Sequence, residues 1–92
     1  MVNNIINITA DGSFQEVVGI PHQCRCIAIQ ARTAADVTLH WRRQTTTWVV
    51  KSGTVKTLVG QFNDGDLFVQ ATNAVVIELE CATGMSDIIF QA

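Results

Sequence analysis

The stretch VTLHWRRQTTTWVVK, residues 37–51, decides the fold that this sequence predicts. Because successive side chains of a strand point to opposite faces, Leu39 and Trp41 share a face, and so do Trp48 and Val50. A hairpin that sets Trp41 opposite Trp48 also sets Leu39 opposite Val50, so the four apolar side chains lie together. The stretch therefore predicts two antiparallel strands with one buried face.

The rest of the chain has the same character of short β-prone runs separated by turn residues. Val, Ile and Thr are abundant and Pro21 is the one proline, a composition that favours strands. No window shows a helical period with capping residues. The predicted strands cover residues 4–9, 14–18, 25–32, 37–42, 47–51, 55–59, 66–71, 75–82 and 88–90. Eight or nine short strands predict an all-β, two-sheet antiparallel sandwich, of which the jelly roll is one form, as a single domain over residues 1–92.

Two other turns suggest hairpins. A three-residue loop at residues 72–74 would pair Val69 with Ile77, with Asn73 in the left-handed conformation that such a loop needs. Asp11-Gly12 signals a tight turn between the first two strands, although the flanking residues do not select a register. Both patterns predict that neighbouring strands along the chain are neighbours in one sheet.

Composition limits the classes of function. The 92 residues are 48% apolar and 15% charged, with a formal net charge of −2. The basic residues are scattered apart from Arg42 and Arg43, so a nucleic-acid-binding patch is not expected. No apolar run is long enough to span a membrane, and residues 1–4 lack the regions of a signal peptide. Three cysteines without a secretion signal argue against a disulfide framework.

A metal site is one alternative that the cysteines leave open. His22, Cys24 and Cys26 alternate along the chain, with His40 and Cys81 as the remaining soft ligands. Structural zinc sites usually have two to four residues between their cysteines and need a fourth ligand, whereas one residue separates Cys24 from Cys26. Buried thiols that pack as small apolar side chains are the favoured interpretation. A jelly-roll metalloenzyme that uses His22, Cys24 and His40 is the competing hypothesis.

Acidic residues provide a second chemical alternative. Glu78 and Glu80 lie two apart on one predicted strand, which places their Cβ atoms about 7 Å apart, a spacing comparable to that of glycosidase carboxylates. Catalytic pairs converge across a cleft, however, so a solvated stripe is predicted. The run at residues 63–66 lacks the acid that completes an EF-hand loop and predicts a turn with a left-handed Gly65. We therefore expect no catalytic, cofactor-binding or metal-binding residues, and no enzyme activity.

A lectin-like module is a third alternative. Trp41, Trp48 and Arg42 could form a platform on which a sugar stacks. The alternation places both tryptophans on the core face, however, which leaves Arg42 and Arg43 projecting from the hairpin tip. Arginine and tryptophan are both enriched at protein interfaces, so contact with a neighbouring subunit is favoured over glycan binding.

Several apolar side chains are predicted to point away from the core. Val49 lies on the face opposite Trp48, and Phe68 and Val76 alternate with buried positions of their own strands. A surface that is poor in charge and carries outward apolar residues is typical of proteins covered by neighbours. The predicted interface residues are Arg42, Arg43, Val49, Phe68, Val76, Ile89 and Phe90.

Four segments of the chain resemble small β-sandwich accessory proteins of tailed bacteriophage virions, which include capsid decoration proteins and head or tail modules. The segments are residues 6–14 (INITADGSF), 27–41 (IAIQARTAADVTLHW), 47–58 (TWVVKSGTVKTL) and 64–80 (DGDLFVQATNAVVIELE). The likeness lies in an opening hairpin, a Trp-containing strand, a G-x-x-x-x-L turn-strand step, a G-D-L-F-V strand and a closing strand.

The resemblance implies a non-enzymatic structural protein of the virion, assembled in the host cytoplasm. Its implied role is to decorate or cement the capsid through contacts with the major capsid protein or other virion proteins. It also implies a homo-oligomer, with a trimer favoured. The scattered basic residues and the lack of a long apolar run predict no nucleic-acid or membrane partner. The alternatives are a tail or fibre structural module and a lectin-like glycan-binding module.

Overall fold

Eight strands form in the described part of the chain. Their ends lie within two residues of the ends predicted from runs in which apolar and polar side chains alternate or β-branched residues cluster. The computed structural model describes residues 4–32, 35–41 and 47–90. The last predicted strand, at residues 88–90, is wrong, because a short 3-10 helix, Met85–Asp87, precedes a segment without strand pairing. The strands are β1 Asn4–Thr9, β2 Gln15–Glu16, β3 Cys26–Ala31, β4 Val37–Trp41, β5 Trp48–Val50, β6 Lys56–Val59, β7 Leu67–Gln70 and β8 Val76–Ala82.

The strands form two four-stranded antiparallel sheets. The first sheet has the order β1-β8-β3-β6 and the second has the order β2-β7-β4-β5. The pairs β1–β8, β2–β7, β3–β6 and β4–β5 describe one long hairpin that has been rolled up, which is the jelly-roll form of the sandwich. The predicted two-sheet sandwich is therefore confirmed. In the part of the chain that the structure describes, no helix is long and apolar enough to cross a membrane.

The core lies between the sheets and is built from alternate residues of the central strands. β8 contributes Ile77 and Leu79, and β7 contributes Leu67 and Val69, all fully buried. Burying each such side chain stabilises the fold by about 1.5–3 kcal/mol. Phe62, from the connection between β6 and β7, is also buried and fills the space between the sheets.

The β4–β5 hairpin forms, but in a different register from the predicted one. Leu39 is opposite Trp48, and Val37 is opposite Val50. The pairing of Trp41 with Trp48 is wrong by two residues, an even shift that leaves each side chain on its predicted face. Trp41 instead pairs with Leu67 of β7, and its ring meets that of Trp48 edge-on at 6.5 Å.

The other two predicted hairpins are wrong, because the chain crosses between the sheets at both turns. β1 pairs with β8, and β2 pairs with β7. Val69 therefore lies opposite Gln15 and Leu39, whereas Ile77 lies opposite Ile8 and Ala31 of the first sheet. Alternation specifies which face of a strand is buried, but it does not specify the neighbouring strand.

Turn geometry follows the predictions in part. Gly65 has the expected positive φ, 85°, and Asp66 N–H donates to the Asn63 carbonyl at 3.1 Å. In the loop between β7 and β8, the left-handed residue is Ala74, with φ 74°, and not Asn73. Ala74 N–H donates to the carbonyl of Ala10, the residue that follows β1, at 2.8 Å.

Candidate interaction surface

The outer face of the second sheet carries a cluster of aromatic rings. His40 and Phe68 are directly opposite on β4 and β7, and their rings stack in parallel with centroids 4.9 Å apart. Phe14, immediately before β2, meets the His40 ring edge-on at 4.6 Å. We call the surface formed by Phe14, Thr38, His40, Val49 and Phe68 the aromatic face.

Hydrogen bonding holds the central ring of the aromatic face in place. His40 Nδ1 lies 2.8 Å from the carbonyl oxygen of Trp41. Because a carbonyl oxygen only accepts, Nδ1 carries the proton and donates it in this bond. A ring that is already fixed loses little conformational freedom when a partner covers it, so the cluster is preorganised for contact.

The aromatic face is accessible, and it carries the charged residue Glu16, which lies opposite Phe68 on β2. Phe14 is 37% exposed and Val49 is 49% exposed. Thr38 and Gln70, which face each other across β4 and β7, are uncharged. Together with Gly12 and Asp36 they line an open depression of about 300 Å³. Aromatic side chains inside a polar rim are characteristic of the centre of a protein–protein interface.

The structure divides the predicted interface residues between two faces. Val49 and Phe68 lie on the aromatic face, whereas Val76 lies on the outer face of the first sheet. Ile89 and Phe90 belong to the segment that follows the 3-10 helix. Arg42 and Arg43 lie outside the described residues. The role in binding of all the predicted interface residues stays a prediction.

Sequence reasoning missed Phe14 and His40 as members of the aromatic face. His40 lies on β4 and Phe14 immediately precedes β2, so the three rings come together only because β4 and β2 flank β7. The one available signal was that His40 alternates with the inward-facing Leu39 and Trp41.

The C-terminal segment folds back onto the outer face of the first sheet. The carboxylate of Glu80 accepts hydrogen bonds from the backbone N–H of Ile89, at 2.8 and 2.9 Å, and of Phe90, at 2.8 Å. Glu80 is fully buried, with Ile5 and Ala28 as its neighbours across the sheet. We call residues 88–90 the strap.

The predicted solvated stripe is therefore wrong at Glu80, because the strap covers this carboxylate. Glu78, two residues earlier, remains partly exposed and is also engaged. It accepts a hydrogen bond from Gln30 Nε2 at 3.1 Å and forms an ion pair with Arg32 at 2.8 Å. Neither acid faces the other across a cleft, so the pair lacks the arrangement of a glycosidase site.

A second apolar surface surrounds the strap. Ile89 is 73% exposed, and Val59 on β6 is 67% exposed on the outer side of the same sheet. Ile5 on β1 is exposed on that side as well. These side chains are spaced apart on the first sheet, whereas the rings of the aromatic face are in contact with one another.

The residues considered for a metal site do not form one group, although the thiols of Cys24 and Cys81 are neighbours. Cys24 and Cys81 are buried in the core, and Cys24 Sγ donates to the Cys26 carbonyl at 3.3 Å. His22 is exposed in a turn, and His40 lies on the aromatic face. Within residues 4–32, 35–41 and 47–90, no three His, Cys, Asp or Glu side chains form a group suited to a metal ion.

The pKa of Cys81 is raised from 9.0 to about 12, chiefly by burial and to a smaller extent by the neighbouring Cys24 thiol. The folded state therefore holds the thiol proton of Cys81 more tightly than the unfolded chain does. The resulting stabilisation of the fold is fully present below pH 9 and is lost as the pH rises through 12. We expect the free energy of unfolding to fall over this alkaline range, and to fall less steeply in Cys81→Ala. Denaturant unfolding at several pH values measures both slopes, and equal slopes would contradict the assignment.

The tryptophans do not form the stacking platform of a lectin. Trp41 faces the core and stacks on Phe62, with centroids 5.3 Å apart and an interplanar angle of 11°. Trp48 is partly exposed at the sheet edge, where it lines an apolar cavity of about 230 Å³ together with Trp41, Lys56 and Leu58. The two indole planes are inclined by 82°, so they form no flat platform on which a sugar ring could stack.

Comparisons with known proteins leave the family open. No protein-family model matches the chain, and no curated protein matches it. Among solved structures, one similar chain comes from Bacillus endospore appendages, described as a novel family of disulfide-linked pili. It has 12% sequence identity and a TM-score of 0.45, over 90% of this chain and 87% of that chain. A similarity of this size carries no conclusion about function, and the bacteriophage resemblance stays a prediction.

Proposed function

We propose that this chain is a non-enzymatic structural protein that binds another protein through its aromatic face. The observation that carries the proposal is the contact of Phe14, His40 and Phe68 on an accessible sheet surface. Aromatic side chains dominate the energy of many protein interfaces because they bury a large area in few rotatable bonds.

The more specific form of the proposal is a decoration protein of a bacteriophage capsid. The resemblance of four segments to virion accessory proteins supports it, and so does the occurrence of the jelly roll among viral capsid domains. Lectins and cupins share this fold, so the aromatic face supplies the argument for a protein partner. On this proposal the chain resides in the virion, and its partner is the major capsid protein or another virion protein.

Binding to isolated shells tests the proposal through a matched pair of substitutions. Val49→Lys places a charge on the aromatic face, and Val59→Lys places the same charge on the outer face of the first sheet. Both valines are exposed on edge strands, so both variants are expected to fold. We expect Val49→Lys to weaken binding to shells stripped of the chain by about tenfold to a hundredfold, and Val59→Lys by less than about threefold.

Sedimentation of shells with increasing amounts of labelled protein measures these affinities. Equal binding by the two variants and the natural chain would contradict the role of the aromatic face. Absence of the chain from purified particles, together with no binding to stripped shells or to tails, would contradict the virion role. Binding to tails alone would support the tail or fibre alternative.

A further inference from the structure

The edges of the two sheets are protected to different degrees. Natural proteins blunt an exposed edge by keeping it short, or with proline or inward-pointing charges. β2 and β5 have two and three residues, and β6 carries Lys56 opposite the core residue Ile29. β1 has six residues, NIINIT, with neither a charge nor a proline, and it pairs with β8 without a bulge. Among the edges that the structure describes, β1 is the one suited to accept another strand.

The direction of the free backbone groups of β1 follows from a neighbouring hydrogen bond. Ala10 N–H donates to the Val75 carbonyl at 2.8 Å, continuing the ladder between β1 and β8. Residues that bond to one neighbour alternate with residues that face away, so Asn7 and Thr9 direct their backbone groups away from β8. The bond from Gln15 Nε2 to the Thr9 carbonyl, at 3.3 Å, agrees with this direction.

We infer that β1 pairs antiparallel with β1 of a second copy of this chain, centred on Asn7. In this register Asn7 faces Asn7 of the second copy, Ile6 faces Ile8, and Ile5 faces Thr9. Ile6 and Ile8 are half-buried against the core, so each extends the apolar layer of the other copy. A shift of one residue would place asparagine against isoleucine and mix the two faces.

The inferred contact is a twofold one, in which each copy contributes the same strand. It joins two four-stranded sheets into one continuous sheet. It adds about four backbone hydrogen bonds besides the two at the Thr9 carbonyls, which already accept from Gln15. It goes beyond the proposed function, because it leaves the aromatic face free for a different protein. It also differs from the trimer that the bacteriophage resemblance implies.

Proline at position 7 tests the pairing directly. Asn7→Pro removes an N–H that faces the free edge and keeps the bonds to β8, so the fold is expected to persist. Asn7→Ala keeps the N–H and is the matched control. In analytical ultracentrifugation we expect the natural chain and Asn7→Ala to dimerise, and Asn7→Pro to dimerise at least about tenfold more weakly. Circular dichroism checks that each variant is folded.

Cross-linking gives a second readout that does not depend on tolerance of proline. The described cysteines are buried, so Asn7→Cys adds an accessible thiol that faces its own copy across the pair. A short bis-maleimide should link Asn7→Cys into dimers and should leave Asn73→Cys, another exposed asparagine, unlinked. A natural chain that stays monomeric, or equal dimerisation by Asn7→Pro, would overturn the inference. Because both measurements use the chain without shells, failure here is distinguishable from failure of shell binding.

Discussion

Replacing Glu80 with alanine is expected to lower the free energy of unfolding by about 3 kcal/mol, since hydrogen bonds to a charged group each contribute about 1.5–3 kcal/mol. The substitution removes the acceptor for the backbone N–H groups of Ile89 and Phe90. The strap is then expected to detach and uncover the first sheet. Denaturant unfolding measures the loss, and hydrogen exchange at Ile89 and Phe90 reports the detachment.

Two other substitutions are expected to cause smaller losses of stability and serve as comparisons. Glu80→Gln keeps the shape and one acceptor oxygen, so it should lose about half as much stability. Glu78→Ala removes a partly exposed ion pair with Arg32 and should cost no more than about 1 kcal/mol. If Glu80→Ala were as stable as Glu78→Ala, and the two strap amides stayed protected, Glu80 would not hold the strap.

Replacing Phe62 with alanine is expected to destabilise the fold by about 3–5 kcal/mol, the usual range for a large aromatic side chain in a core. Phe62 is 1% exposed and stacks on Trp41, so the substitution leaves a cavity and frees one face of the indole. Denaturant unfolding gives the size of the effect, and Trp fluorescence in the native state should shift as Trp41 becomes more mobile.

Phe14→Ala is the matched control for this loss. The same atoms are removed from a partly exposed ring on the aromatic face, where solvent fills the space, so the cost should stay below about 1 kcal/mol. Similar losses for the two variants would mean that Phe62 is not part of the core between the sheets.

The sequence was sufficient to predict the faces of the strands, because burial imposes alternation on each strand separately. Leu39, Trp41, Trp48 and Val50 all lie on the predicted side. It was not sufficient to predict strand partners, because the turn at residues 72–74 is compatible with a hairpin and with a crossing between sheets. The crossing is stabilised by the distant Ala10 carbonyl, which accepts from Ala74.

The aromatic face was predictable only in part, because the partners of each strand could not be predicted. Val49 and Phe68 could be recognised as outward from their own strands. Phe14 and His40 join them through strand order, which no local pattern specifies. Glu80 was predicted to be solvated because residues 88–90 were predicted to form an edge strand. In the structure these residues form the strap, which covers Glu80.

The most direct measurement is a high-resolution reconstruction of a purified particle that contains this chain. We predict that the rings of Phe14, His40 and Phe68 are buried against another virion protein, in a copy number that matches the symmetry of the shell. Rings that face solvent in every bound copy, or a particle that lacks the chain altogether, would contradict the account.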